Sequence, residues 1–145
     1  MEKFFFEVQV RWADLDPNFH TRHSVYYDWG AMCRIAYLHN NGLTIDLMTK
    51  LHIGPILFRE ECVFKREIQG PNTVTVQLEL LKARRDYSRW TIQHNIIKDE
   101  LTLAAVLTCD GAWIDTIQRK LATLPAEAAQ VFADMPKHKD FSWSD

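Results

Sequence analysis

The hydrophobic pattern of this chain predicts an α+β fold, an antiparallel sheet of about five strands wrapped around one long central helix, and three observations carry the prediction. Residues Lys3 to Trp12 alternate apolar and polar side chains, the period of a strand with one face in a core. Ser24 to Asn40 instead repeats apolar residues at spacings of three and four, the stripe of an amphipathic helix. From Ile56 to Ile114 alternation returns in segments broken by short turns, with no second long helix among them. At 145 residues, 47% of them hydrophobic, the chain is long enough for one sizeable core, so residues 1–145 are expected to form a single domain.

In the first strand Phe4, Phe6, Val8, Val10 and Trp12 share a face. Asp14 to Pro17 breaks it, because proline fixes its own φ, offers no amide donor and biases Asp16 toward extended geometry. Ser24 is the expected N-cap of the helix, Asp28 puts negative charge in its first turns, and Asn40-Asn41-Gly42 is a left-handed exit. Val25, Trp29, Met32, Cys33, Ala36 and Tyr37 form its apolar stripe. Gly30, inside that helix, costs about 1 kcal/mol relative to alanine and implies that a backbone or ligand passes close to its turn.

Leu43 to Leu51 is expected to be a shorter helical or irregular connection, after which Ile56, Phe58, Cys62, Phe64 and Ile68 share a parity that Glu60 and Arg66 interrupt. Gln69-Gly70-Pro71-Asn72 is a turn. Val74, Val76, Leu78 and Leu80 mark the next strand, with Arg84 to Tyr87 as its exposed end, and Trp90, Ile92, His94 and Ile96 mark the one after. Lys98-Asp99-Glu100 turns the chain into Leu101–Ile114, whose near-continuous apolar character predicts a strand covered on both faces near the centre of the sheet. Leu124 to Met135 reads as a surface helix with Pro125 in its first turn, and residues 137–145 as a loose polar tail.

A formal charge of −2 offers no electrostatic reason for a nucleic acid or an anionic membrane as partner. Cys33, Cys62 and Cys109 are too widely spaced for a metal or redox pair and read as buried thiols of a reducing compartment. With no signal-peptide pattern and no apolar run of about 20 residues, the expected location is cytoplasmic and the protein soluble. Uncovered sheet edges make a homodimer or homotetramer the expected assembly.

Chemistry concentrates in RWADLDPNFHTRHSVYYDW, residues 11–29. Asp14 and Asp16 share a face if the segment is extended and diverge if it is a loop; either can act as acid or base, or merely hold a turn. His20 and His23 lack the further clustered ligands that zinc requires, so no metal is expected. The amides around His23 to Val25, at a helix N-terminus, can hold a developing oxyanion while Asp16 acts as nucleophile or base, a combination suited to acyl transfer or hydrolysis.

Asp14-Leu15-Asp16-Pro17, His20, Tyr26 and Trp29 together resemble the D-x-D-x-x-G-H-x-N-N-x-x-Y-x-x-W signature of hotdog-fold acyl-CoA thioesterases of the 4-hydroxybenzoyl-CoA thioesterase type, over roughly residues 3–120. The resemblance implies a hotdog fold, an acyl-CoA substrate and no cofactor beyond the CoA of that substrate. It implies Asp16 as the catalytic carboxylate and the amide near His23 as the oxyanion donor, with His20 beside them. It also puts Arg84 and Arg85 where such enzymes offer cations to the CoA phosphates, and makes Trp12, Tyr26 and Trp29 candidates for the acyl pocket, with core packing the competing role for Trp12 and Trp29. Phe19 stands where the signature has glycine, and Arg22-His23 where it has Asn-Asn. Asp14 to His20 also resembles, more loosely, the D-x-N-P-x-H run of hotdog enoyl-CoA hydratases. A domain that binds acyl thioesters without turnover is the non-enzymatic alternative.

Overall fold

The computed structural model describes residues 2–145. In chain order it contains β1 (Phe4–Gln9), a 3₁₀ turn (Trp12–Asp14), α1 (Val25–Asn40), α2 (Ile45–Leu51), β2 (Ile53–Phe64), β3 (Thr73–Ala83), β4 (Arg89–Lys98), β5 (Thr102–Asp115), α3 (Ala126–Ala133) and β6 (Lys137–Trp143). The strands form one sheet in the order β1-β3-β4-β5-β2, with every neighbour antiparallel, and β6 adds to β3 in parallel. The sheet wraps α1, which is the hotdog arrangement.

The alternating residues of β3 and β4 build the floor under the helix: Val74, Val76, Leu78 and Leu80, then Trp90, Ile92, His94 and Ile96, are all buried. From α1, Val25, Tyr26, Trp29, Cys33, Tyr37 and Leu38 pack onto them. Gly30 is buried where a Cβ would overlap Leu107 Cδ2 of β5 and lie 3.3 Å from His94 Cδ2. The close approach that Gly30 implied is therefore real, but a side chain of the sheet, rather than a backbone or ligand, makes it. Met32, expected in the apolar stripe, is 51% exposed, because the buried face of α1 is rotated toward Tyr26 and Leu38.

Several expectations need correction. The tail 137–145 is not loose: Lys137–Trp143 is β6, paired through Leu80↔Lys137 and Ala83↔Trp143, so the strands among the described residues number six. Its polar composition hid two aromatic side chains, Phe141 and Trp143, whose rings lie 5.0 Å apart. Trp143 also packs against Tyr87 at 5.7 Å, so the β3–β4 hairpin end is partly covered rather than open. Trp12 leaves the strand pattern; it starts the 3₁₀ turn and is 79% exposed. The parity of β2 breaks at a register shift between Leu57 and Arg59, which turns Phe58 outward. β5 lies one strand from the middle, next to the central β4. Cys33 and Cys109 are buried, but Cys62 is only half-buried.

Candidate active site

Between β1 and α1 the backbone folds into a tight loop. Asp16 N donates to His20 O at 2.8 Å, Phe19 N to Asp16 O at 2.9 Å, and Thr21 N to Ile68 O at 2.7 Å. Phe19, in the place of the signature glycine, takes φ 64°, the left-handed turn that glycine adopts without steric cost. The loop thus keeps its shape with a bulky residue at that corner, and the Phe19 ring rests 6.2 Å from that of Trp12.

The two aspartates diverge. Asp14 is buried and turned toward Arg11, accepting from Arg11 N at 2.8 Å and from Nη2 at 2.7 Å, and this paired guanidinium holds its carboxyl below the usual carboxylate range. Its role is to close the 3₁₀ turn. Asp16 remains half-buried: its Oδ1 accepts from Asn18 N at 2.9 Å and His20 N at 3.1 Å, while its Oδ2 accepts nothing from the described residues. Two backbone amides therefore orient the carboxylate and leave one oxygen free.

Ser24 occupies the position before α1, but its hydroxyl accepts from Arg22 Nε at 3.1 Å and makes no cap. Val25 N donates to Arg22 O, whereas the amides of His23 and Ser24 donate to nothing among the described residues. A helix start without a side-chain cap keeps its free N–H groups and their partial positive charge available to an anion.

Asp16, His20, His23 and Tyr26 line one cavity of about 390 Å³, together with Thr21 and the segment from Phe64 to Ile68. Four of the residues singled out in the sequence thus meet in one place. His20 is placed by Glu67, whose Oε2 lies 3.1 Å from its Nε2. The Tyr26 ring stands edge-on to Phe64 at 4.9 Å. Burial first, then the nearby Cys62, Asp16 and Glu67, pushes the Tyr26 phenol up to about 12, so it stays a neutral O–H donor.

Trp29, Arg84 and Arg85 are not brought to this cavity. Trp29 is core, 5.3 Å from Tyr26 and 5% exposed. Arg84 and Arg85 belong to the hairpin after β3, where Arg85 stacks over Trp143 at 5.0 Å. The cations on the cavity are instead Lys65 and Arg66, which sequence reasoning passed over together with Glu67. Their signal was available as a charged run directly after a strand, but pairing of β2 was needed to bring it beside the loop. Among the described residues no three His, Cys, Asp or Glu side chains gather as metal ligands, and no helix is long and apolar enough to cross a membrane.

A family model described as the thioesterase-like superfamily matches residues 10–132. A comparison with curated proteins returned no significant match. Among solved structures, a DHNA-CoA thioesterase from Staphylococcus aureus superposes with a TM-score of 0.82 at 20% identity, over 92% of this chain and 90% of that one. A hypothetical protein of Staphylococcus aureus in complex with CoA gives 0.82 at 18% identity, over 95% and 89%. A 1,4-dihydroxy-2-naphthoyl-CoA thioesterase from Synechocystis gives 0.80 at 18% identity, over 92% and 97%. At these identities the structures share the hotdog fold.

Proposed function

This chain belongs to the thioesterase-like superfamily and is a thioester hydrolase, and on that premise we propose that it cleaves acyl-CoA thioesters with Asp16 as the working carboxylate. The observation that carries the reading is that an oriented carboxylate with one free oxygen shares a cavity with His23, the residue before α1 whose backbone amide is unpaired among the described residues. The thioester carbonyl oxygen sits at the His23 amide, where charge developing on it meets the start of α1. Asp16 Oδ2 either attacks the carbonyl carbon to form an acyl anhydride that a water molecule then hydrolyses, or takes a proton from a water that attacks the carbonyl itself and passes it to the departing sulfur. The C–S bond breaks, CoA leaves as the thiol and the acyl group ends as a carboxylate. His20, held by Glu67, and the Tyr26 hydroxyl are the side-chain donors beside the carbonyl, and Lys65 and Arg66 at the rim suit the CoA phosphates. Solved neighbours described as CoA thioesterases and as a CoA complex support CoA as the carrier.

Release of free thiol from a panel of aromatic and aliphatic acyl-CoAs tests the proposal. Asp16→Asn is expected to lower kcat by about 10²–10⁴, the range for a positioned base, with the fold unchanged by circular dichroism. An unchanged kcat would remove Asp16 from the mechanism, and no turnover of any acyl-CoA would remove the carrier.

The same chain is proposed to work as a homodimer or a pair of dimers. Among the described residues β2 is hydrogen-bonded only to β5, and Leu57, Phe58, Val63 and Phe64 stand exposed along it, so a second copy covers both an open edge and apolar side chains. Light scattering on Phe58→Lys and Val63→Lys is expected to show a shift toward monomer. The three free thiols suit a cytoplasmic setting.

A further inference from the structure

Phe19 sits at the corner of the loop that carries Asp16, in a backbone conformation its side chain disfavours. At φ 64° the Cβ of a bulky residue crowds the following carbonyl oxygen, a cost that glycine does not meet. Tyr87, the other aromatic residue at positive φ, has that cost offset by packing against Phe132 at 6.1 Å and Trp143 at 5.7 Å. Phe19 has no such cover: it is 60% exposed, and among the described residues its one ring neighbour is Trp12, 6.2 Å away at a 40° tilt. Trp12 is itself 79% exposed, so the pair buries little apolar surface and adds little to the stability of the whole fold. A ring pair at that separation is nonetheless attractive, by an amount comparable to the cost of a single left-handed residue.

What the pair holds together is local. The rings belong to the two arms of the loop, Trp12 to the arm that leaves β1 and Phe19 to the arm that leads to α1, and they flank a shallow cleft with Val10, Leu15 and Pro71. Trp12 is fixed to its arm by the 3₁₀ turn, with Leu15 N donating to Trp12 O at 3.2 Å. Phe19 is fixed to Asp16 through its own N–H, which donates to Asp16 O, and through the residues on either side of it, since Asn18 N and His20 N both donate to Asp16 Oδ1. Rotation of Phe19 out of the left-handed region would therefore swing the His20 amide away from the carboxylate it orients, and the His20 ring out of the cavity. Neither Trp12 nor Phe19 lines the Asp16 cavity, so neither touches a substrate held there and any influence on turnover passes through the loop.

We infer that Trp12 and Phe19 are positioning residues, a ring-to-ring latch that keeps the loop corner in its left-handed turn and so holds Asp16 and His20 at the cavity. Their role rests on the reading of Asp16 as the working carboxylate, but the order of the loop is measured without turnover.

Trp12→Ala and the double variant Trp12→Ala/Phe19→Gly are compared with the wild-type chain. Thiol release from benzoyl-CoA gives kcat and KM, and amide hydrogen exchange gives the order of the loop. Trp12→Ala opens the latch and leaves the strained corner in place, so kcat is expected to fall about tenfold with KM within about twofold. The Asn18 and His20 amides are expected to exchange about tenfold faster, a change of about 1.4 kcal/mol in local opening, with circular dichroism unchanged. Adding Phe19→Gly is expected to restore both quantities to within about threefold of wild type, because glycine takes positive φ without support. A merely structural contact would instead lose more activity with the second truncation. An unchanged kcat or unchanged exchange in Trp12→Ala, or a double variant slower than Trp12→Ala alone, would overturn the inference. If benzoyl-CoA is not cleaved, the exchange pattern of the two variants decides alone, which tells a failure of the thioesterase reading apart from a failure of the latch.

Discussion

Replacing Gly30 by alanine sets two effects of known size against each other. In an exposed helix the change stabilises by about 1 kcal/mol, because glycine loses more backbone freedom on folding. At this position the new methyl would sit roughly 1.5 Å inside the optimum carbon separation to Leu107 Cδ2, with Arg34 Nη1 at 3.2 Å and His94 Cδ2 at 3.3 Å from it. Leu107 and His94 are both fully buried, so neither can swing into solvent, and over-packing of this kind costs about 1–3 kcal/mol. The overlap wins: Gly30→Ala is expected to destabilise by about 1 kcal/mol net, lowering Tm by about 2–4 °C. Urea unfolding followed by circular dichroism reads this as a lower midpoint at constant slope. A double-mutant cycle with Leu107→Ala locates the cause, since removing the clashing methyls should make the pair less damaging than the sum of the two single changes. A more stable Gly30→Ala, or strict additivity with Leu107→Ala, would refute the claim that α1 packs on β5 at this turn.

Burial, reinforced by the charge of Arg34 and opposed by the Gln77 carbonyl, lowers the His94 imidazole from 6.5 to about 3. Its folded value is depressed, so its contribution is complete above pH 6.5 and shrinks as pH falls toward 3, by up to about 1.4 kcal/mol per pH unit. The urea midpoint is expected to fall on acidification below 6.5, and His94→Asn to flatten that dependence; an equally steep profile in the variant would exclude His94 as its source. For the C-terminal strand, Trp143→Ala removes ring contacts to Tyr87 and Phe141 and the stack with Arg85, and half-burial scales its cost to about 1–2 kcal/mol, below the value for a fully buried ring. An unchanged thermal midpoint would mean that β6 adds nothing to the sheet.

Local pattern was enough for β3, β4 and α1 because each buries one face of a regular element, and a period of two or 3.6 is written directly into the spacing of their apolar residues. It was not enough for β6, where Lys, His and Asp outnumber Phe141 and Trp143, and where parallel pairing to β3 comes from a distant part of the chain. Trp12 and Phe58 fail for a related reason. A 3₁₀ turn and a register shift each displace the period by one residue, which sends the next side chain to the opposite face.

Residues 11–29 by themselves held the chemistry of the site: the proline-broken strand end, the aspartate that ties back its own loop amides, and the helix start that follows. These are short-range features, set by covalent geometry and by hydrogen bonds over two to four residues. Which aspartate stays free became visible only in the folded loop, because the pairing of Asp14 with Arg11 depends on the 3₁₀ turn between them. Tertiary structure decided that Lys65, Arg66 and Glu67 share a cavity with Asp16 while Arg84 and Arg85 do not. The meeting at the cavity joins segments tens of residues apart, and only the sheet that curls around α1 brings them within reach of one another.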